Sequence, residues 1–423
     1  MVSPLSSLNS LFLSVTILLL GHGLQQTVIP FAGADAGWSN SQISLLGAGY
    51  FLGFIGGCIG MPVLVRNVGH VRVFTSCIAL LIVAVLCISI WSLLPLWIAL
   101  RVLTGIAMAG AYLIIESWLN ERAPDGRRGA VVSLYSFLCI AALMIAQLLL
   151  QQGSTVPMLV LIAILMALAI VPVALTQAPL PTPPQQVQMD LGFAYRASQA
   201  GFLCAGFSGL VMGTLWSAGA ITLAQAFGDN SAGAGFLLWM LLGGLVAQLP
   251  VGRLSDRFDR RWMLLSLALL GLIASLAWMF LLPPTLWNMR FLAFVLGGTA
   301  MPMYAVAVAQ ANDNADGRFL QIASAMLVAN GCGSICGPLL YAALSTFEVP
   351  QAMFALLAVG YSLAALWTTL QLCLHDAAMA YREPFQPIPK TTQAAAALDP
   401  RDDQTPSAET TTGEALAGAR STS

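Results

Sequence analysis

The stretch Arg101-Val-Leu-Thr-Gly105-Ile-Ala-Met108-Ala-Gly110-Ala-Tyr112-Leu-Ile-Ile-Glu116 decides how this chain folds. It places an arginine and a glutamate inside a segment otherwise oily enough to cross a bilayer. A charge at membrane depth costs roughly 2.5–3.5 kcal/mol on insertion scales, so it persists where it faces protein or a water-filled cavity. Arg101, Gly105, Met108, Tyr112 and Glu116 recur at steps of four, three, four and four, which puts them on one helical face. One side of this helix therefore looks inward at something polar. The rest of the chain is expected to house it.

Composition agrees. Of 423 residues, 58% are hydrophobic and 8% are charged, against about 25% charged in soluble domains. The chain reads as an all-α, polytopic membrane protein embedded in a lipid bilayer. A formal net charge of −1 offers no handle for nucleic acid, and no such partner is expected. The single lysine, Lys390, falls in the polar C-terminal region. A phosphate-cradling loop needs a lysine after a glycine-rich turn, so ATP binding by this chain is excluded. The 8 cysteines fall mostly in apolar segments and read as packing residues, and the 3 histidines are scattered. No metal site and no cofactor are expected. The first apolar run lacks a basic lead-in and is too long for a cleavable signal.

Spanning takes about 20 apolar residues per helix. Twelve segments qualify, at about 8–30, 41–64, 71–93, 95–118, 129–151, 156–176, 198–225, 232–252, 262–282, 286–310, 319–344 and 351–374. Arg66, Arg72, Arg122, Arg127, Arg128, Arg196, Arg253, Arg257, Arg260, Arg261 and Arg318 all fall in alternate connections on one side. The opposite connections hold Asp35, Asp229 and Glu348 but no Lys or Arg. The positive-inside rule then makes the basic connections and both termini cytoplasmic, in a plasma membrane that is the inner membrane of a bacterial source. Arg101 and Arg290 alone stand inside spans, and a shift of about 190 residues superposes them. The same shift brings Gly53 onto Gly243 and Asp125-Gly126-Arg127 onto Asp316-Gly317-Arg318. Such a parallel repeat implies two six-helix halves about a pseudo-twofold along the membrane normal. The domains expected are an N-terminal bundle (1–176), a Pro/Gln-rich flexible linker (177–197), a C-terminal bundle (198–374) and a disordered polar tail (375–423).

The run Pro250-Val-Gly252-Arg253-Leu254-Ser255-Asp256-Arg257-Phe258-Asp259-Arg260-Arg261 joins the eighth and ninth spans. Gly252 is expected to permit the close reversal, Asp256 to accept from a helix start, and the arginines to pair with carboxylates. This run resembles the signature loop of the major facilitator superfamily, Gly-x-Leu-x-Asp-Arg-x-Gly-Arg-Arg. It matches at Gly252, Leu254, Asp256, Arg257, Arg260 and Arg261 and departs at Asp259, where the family has glycine. The first-half equivalent, Pro62 to Val71, keeps Leu64 and Gly69 but has Arg66 in place of the aspartate. Arg101 and Gly105 match the family's Arg-x-x-x-Gly pattern in helix four. Glu116-Ser117, Arg128-Gly129, Gln147-Leu148-Leu149 and Gly333-x-x-x-Gly337-Pro338 look more narrowly like its YcaD-like branch. The Gly-Pro pattern associated with family antiporters normally falls in helix five, whereas Gly337-Pro338 is in helix eleven, so export is not read from it.

The resemblance implies a central cavity lined by spans one, four, seven and ten, and rocking of two halves around it. Arg101 has two readings: it snorkels to the nearer interface, or it binds an anion or assists proton movement, which its glycine-lined face favours. Arg290, closer to its helix end, is expected to snorkel. Glu116 is expected to form a gate salt bridge with Arg127, Arg128 or the Arg253–Arg261 cluster rather than carry protons. Proton candidates are Glu116 and His22. His22 and Gln26 share a face of span one, with Tyr112, Trp216, Tyr304 and Asn330 as further cavity candidates. Gln147, Trp239 and Gln310 are equally packing residues. Trp38, Trp91, Trp97, Trp118, Trp262 and Trp287 stand at span ends as interfacial anchors. The function expected is proton-coupled secondary transport of a small organic solute by a monomeric, non-enzymatic protein, with efflux one of the directions left open. The alternatives are a metabolite uniporter or importer, and a non-transporting receptor or scaffold on a transporter fold.

Overall fold

A computed structural model describes residues 4–123, 128–151, 155–175, 190–315, 317–347, 349 and 351–374. Among them run thirteen helices: α1 (Pro4–Asp35), α2 (Asn40–Val68), α3 (His70–Ile90), α4 (Leu94–Arg122), α5 (Arg128–Leu150), α6 (Thr155–Ala174), α7 (Leu191–Ala197), α8 (Gln199–Phe227), α9 (Asn230–Arg257), α10 (Arg260–Phe280), α11 (Leu286–Asn312), α12 (Phe319–Thr346) and α13 (Ala352–Leu374). All but α7 are long and apolar enough to span a membrane, 12 in number. Helix is the one open-chain structure that satisfies every backbone group inside its own segment, as hydrocarbon demands.

Local chemistry stops and starts these helices. Ser39 and Gln42 form a reciprocal capping box at the start of α2. Only Gly69 separates α2 from α3, and its φ of 97° is a conformation that glycine alone adopts without strain. Asp229 caps α9, and hydrogen bonds from the Ser231 hydroxyl and backbone N–H hold its carboxyl below the usual aspartate range. Gly252 does not make the reversal before α10. It lies within α9, which continues to Arg257, and the turn consists of Phe258 and Asp259. Asp259 makes so short a turn possible by accepting from the Arg261 N–H at 2.9 Å as the cap of α10. The last seven residues assigned to the flexible linker are likewise ordered into α7. The Arg318 guanidinium lies 3.3 Å from the centre of the Phe193 ring, and Asn314 donates to the Ala197 carbonyl. Residues 176–189 and the tail after 374 lie outside the described residues.

The helices form two pseudo-symmetric six-helix bundles, and glycine makes the matching crossing in each. In the first, a Cβ on Gly53 would strike the Val102 carbonyl and one on Gly105 the Tyr50 carbonyl, so α2 and α4 meet backbone to backbone. In the second, Gly243 and Gly297 do the same for α9 and α11, against Phe294 and Met240. Between the bundles α2 packs on α8 and α12, α1 on α8, and α5 on α9. Ile273, Phe280 and Val160 are among the apolar side chains left exposed around the outside, as a lipid-facing surface requires. The tryptophans divide. Trp91, Trp262 and Trp287 are exposed at helix ends, but Trp97 and Trp118 are buried. Trp97 stands edge-on to Trp38 at 4.4 Å and Trp118 stacks over His70, so both pack helices rather than face headgroups. Cys332, Cys336 and Cys373 are exposed, not packed.

The crossings give a prediction with its own control. Gly105→Val drives a side chain into backbone that cannot yield, at a cost of about 3 kcal/mol or more. A purified variant should lose several degrees of melting temperature or fail to express. Gly60→Ala, on the glycine-rich partner helix α2 but with nothing within 4 Å of the new Cβ, should be neutral.

Candidate functional site

Arg101 enters the first bundle from α4 about seven residues from its start, towards the end whose connections lack Lys and Arg. It is 4% exposed and does not snorkel. Its Nη2 donates to Gln26 Oε1 of α1 at 2.5 Å and its Nε to the Leu46 carbonyl of α2 at 3.3 Å. Its guanidinium carbon stands 4.7 Å above the Tyr50 ring. The Tyr50 hydroxyl in turn meets His22 Nε2 at 3.2 Å. His22, Gln26, Tyr50 and Arg101 thus form one continuous group across α1, α2 and α4.

None of these partners is an anion, and among the described residues no carboxylate pairs with Arg101. Hydrogen bonds to a charged group contribute about 1.5–3 kcal/mol each and the ring up to about 2. Against this stands a desolvation cost of several kcal/mol for the ion. Arg101 Nη1 is also buried with no hydrogen-bond partner, as are His22 Nδ1 and the Gln25 amide. The group is rich in donors and one charge short of neutrality.

A cleft opens at this group, lined by Gln26, Pro30, Leu46, Tyr50, Phe51 and Arg101 of the first bundle and by Trp216 and Ser217 of α8 in the second. A water centre has about 10 Å³ to move in, the room of a single water molecule. The two bundles approach closely beside it, where Gly47 leaves space for Ser217. Further towards the same end, Asn40 donates to Gln225 at 2.8 Å and Thr346 to Ser41 at 3.2 Å, both hydrogen bonds running between bundles.

Tyr112, Tyr304 and Asn330 do not line this cleft. Tyr112 and Tyr304 are buried, the first edge-on to Phe54 at 6.2 Å. Asn330 donates to the Ala205 carbonyl at 3.0 Å, tying α12 to α8, and lines a separate apolar cleft of about 70 Å³ with Phe54, Cys58 and Ser334. The wall assigned to the tenth span is supplied by α2. Gln147 accepts from Thr27 and donates to the Gly23 carbonyl, which makes it a tie between α5 and α1. Arg290 covers the exposed Trp287 ring at 5.2 Å, at the rim.

At the basic end Glu116 is fully buried and accepts from the Tyr135 hydroxyl at 3.2 Å. Arg127 lies outside the described residues, as does the side chain of Arg128. Arg260, 1% exposed, pairs with Asp313 and donates to the Ala309 carbonyl at 2.7 Å, and it reaches Asp256 at 3.4 Å. Arg261 is held by Asp259 at 2.8 Å and by the Gln371 carbonyl. These pairs fasten α10 to α11 and α13 within the second bundle; Arg257 is exposed beside them. Sequence reasoning missed Tyr50 and Asp313. Tyr50 lies three residues from both Gly47 and Gly53, on the face treated as packing surface.

The sequence profile of the Major Facilitator Superfamily matches residues 11–194 and 201–399. The chain belongs to that superfamily. The MFS-type transporter YcaD of Escherichia fergusonii is 25% identical over 353 residues, 81% of this chain and 90% of that one. The YcaD of Escherichia coli K12 is 26% identical over 76% of this chain and 84% of its own. Among solved structures, a variant of the nucleoside transporter NupG superposes with a TM-score of 0.72 at 12% identity, covering 87% of this chain and all of that one. A bacterial homologue of the human lysosomal transporter Spinster gives 0.63 at 16% identity, over 96% of this chain and 99% of its own. At such identities the structural likeness speaks for the superfamily fold. The protein is an integral multi-pass membrane transporter, and superfamily members are not enzymes.

Two predictions separate site from scaffold. Breaking the buried Arg260 pair with Arg260→Met should cost about 3–5 kcal/mol, because the buried ion pair that fastens α10 to α11 is lost; thermal unfolding in detergent would show it. A double-mutant cycle of Gln26→Ala with Arg101→Gln should give a coupling of about 1.5–3 kcal/mol in stability. Additive effects would dissolve the pair.

Proposed function

We propose that the protein moves a small organic solute across the membrane by alternating access, with the Arg101 cleft as its central site. The observation that carries this is the composition of the cleft, in which one buried cation and its partners come from the first bundle and Trp216 and Ser217 come from the second. A ligand held there touches both bodies and so biases their relative position. The positive-inside rule puts the basic connections and both termini in the cytoplasm. Asn40–Gln225 and Ser41–Thr346 then close the outer side, and the conformation is occluded or inward-facing.

Proton coupling is assigned to Glu116, a carboxylate wholly buried at the inner third of α4 with a tyrosine hydroxyl on it. Taking up a proton removes a charge from a low-dielectric site, which is the means by which pH can favour one state over another. In proteoliposomes an imposed pH gradient is expected to alter flux through the wild-type protein and not through Glu116→Gln. A wild-type flux indifferent to the gradient would favour uniport.

Rocking itself can be tested without knowing the solute. Spin labels at Ala36 and Phe347 on the outer side, and at Asn67 and Phe258 on the inner side, should each report two distance populations in lipid nanodiscs. One pair should lengthen as the other shortens. A single fixed distance on both sides under every condition would instead support a receptor or scaffold.

A further inference from the structure

We infer that the Arg101 cleft is built for a monoanion, a carboxylate carried on a flat, ring-bearing body. This rests on the transport site being that cleft. The charge comes first. Arg101 is a permanent cation, almost wholly buried, and its partners are an amide oxygen, a backbone carbonyl and an aromatic face, all neutral. Its Nη1 is buried and unpartnered while the neighbouring Nη2 is engaged. A guanidinium with an unused N–H is suited to a carboxylate, whose two oxygens match its fork. One ligand of charge −1 brings the site to neutrality.

The same count argues against other solutes. A dianionic phosphate ester would need a second cation, yet the chain has no lysine within its spans and Arg290 is at the rim beside Trp287. A neutral sugar or nucleoside would leave Arg101 as uncompensated as it is now, with its desolvation cost unrelieved. A cation would be repelled outright.

The walls define the rest of the molecule. Phe51, Tyr50 and Trp216 contribute aromatic rings to the lining of the cleft, and Leu46 and Pro30 add apolar surface. Gln26 spends its oxygen on Arg101, which leaves its NH₂ group to donate to the second carboxylate oxygen. Short aliphatic acids would meet the charge but leave the aromatic faces empty. With room now for about one water, the cleft admits such a ligand only as the bundles part at Gly47 and Ser217.

The test uses the purified full-length protein in nanodiscs, with cinnamate and indole-3-acetate as probes and cinnamamide, acetate and inorganic phosphate as controls. Thermal shifts and calorimetry should show binding of both aromatic carboxylates, at least tenfold tighter than cinnamamide or acetate, and none of phosphate. Arg101→Gln should weaken cinnamate at least tenfold, Trp216→Ala should weaken it without restoring preference for the amide, and Arg290→Gln should leave it unchanged. If Arg101→Gln does not fold, Arg101→Lys keeps the charge, loses the fork and should bind several-fold more weakly. Equal binding of cinnamate and cinnamamide, both lost in Trp216→Ala, would keep the site and overturn the anion. Arg101-dependent cinnamate binding without counterflow in proteoliposomes would uphold the ligand class and overturn transport at this cleft. No binding of either carboxylate at 100-fold excess over protein and millimolar concentration would overturn the inference itself.

Discussion

A guanidinium held in the membrane with no counter-ion among the described residues is the constraint around which this protein is arranged. Arg101 is tolerated because three helices converge to solvate it: α1 through Gln26, α2 through the Leu46 carbonyl and the face of Tyr50, and α4, which carries it. Solvation by neutral dipoles lowers the energy of the ion but does not cancel its charge. The same helices must therefore approach very closely, and the glycines at 53 and 105 are what permit it. Packing and electrostatics are here one problem with one solution.

The two bundles share an architecture and divide the chemistry. Glycine-backed crossings recur in both, at Gly53 and Gly105 and again at Gly243 and Gly297. The charges do not recur. Arg101 is buried between α1, α2 and α4, whereas Arg290 covers an exposed tryptophan. In the second bundle the buried ion pair lies at the opposite end, where Arg260 and Asp313 fasten α10 to α11. An internal repeat thus preserves how backbones cross and leaves side chains free to specialise: one half holds the cation, the other supplies the facing Trp216 and a fixed basic end.

Much of this was legible beforehand because it depends on local pattern. Twelve apolar runs, the repeat and the inward face of α4 follow from composition and period, and the polar surroundings of that face from the cost of a lone charge. What escaped depends on tertiary neighbours. Tyr50 looked like part of a small-residue face, and nothing local says that its ring lies under an arginine 51 positions later. Asp313 is 53 residues from Arg260. The signature run was taken for a loop because its glycine suggested a bend, yet a helix interior accepts glycine at modest cost when packing fixes it. Trp97 and Trp118 stand at span ends in sequence and inside the bundle in space, a distinction that one-dimensional position cannot carry.

The clasp between the bundles on the arginine-free side has a consequence of its own. It consists of Asn40 with Gln225 and Ser41 with Thr346, four side chains without a formal charge. Neutral hydrogen bonds contribute about 0.5–1.5 kcal/mol apiece, so the two together add only a few RT to the apolar packing, such as Phe31 beside Gly233, that joins the bundles on that side. Such a fastening responds to neither ionic strength nor proton concentration. It adds a constant increment to closure, and sensitivity to the surroundings is left to the charged groups deeper in the protein.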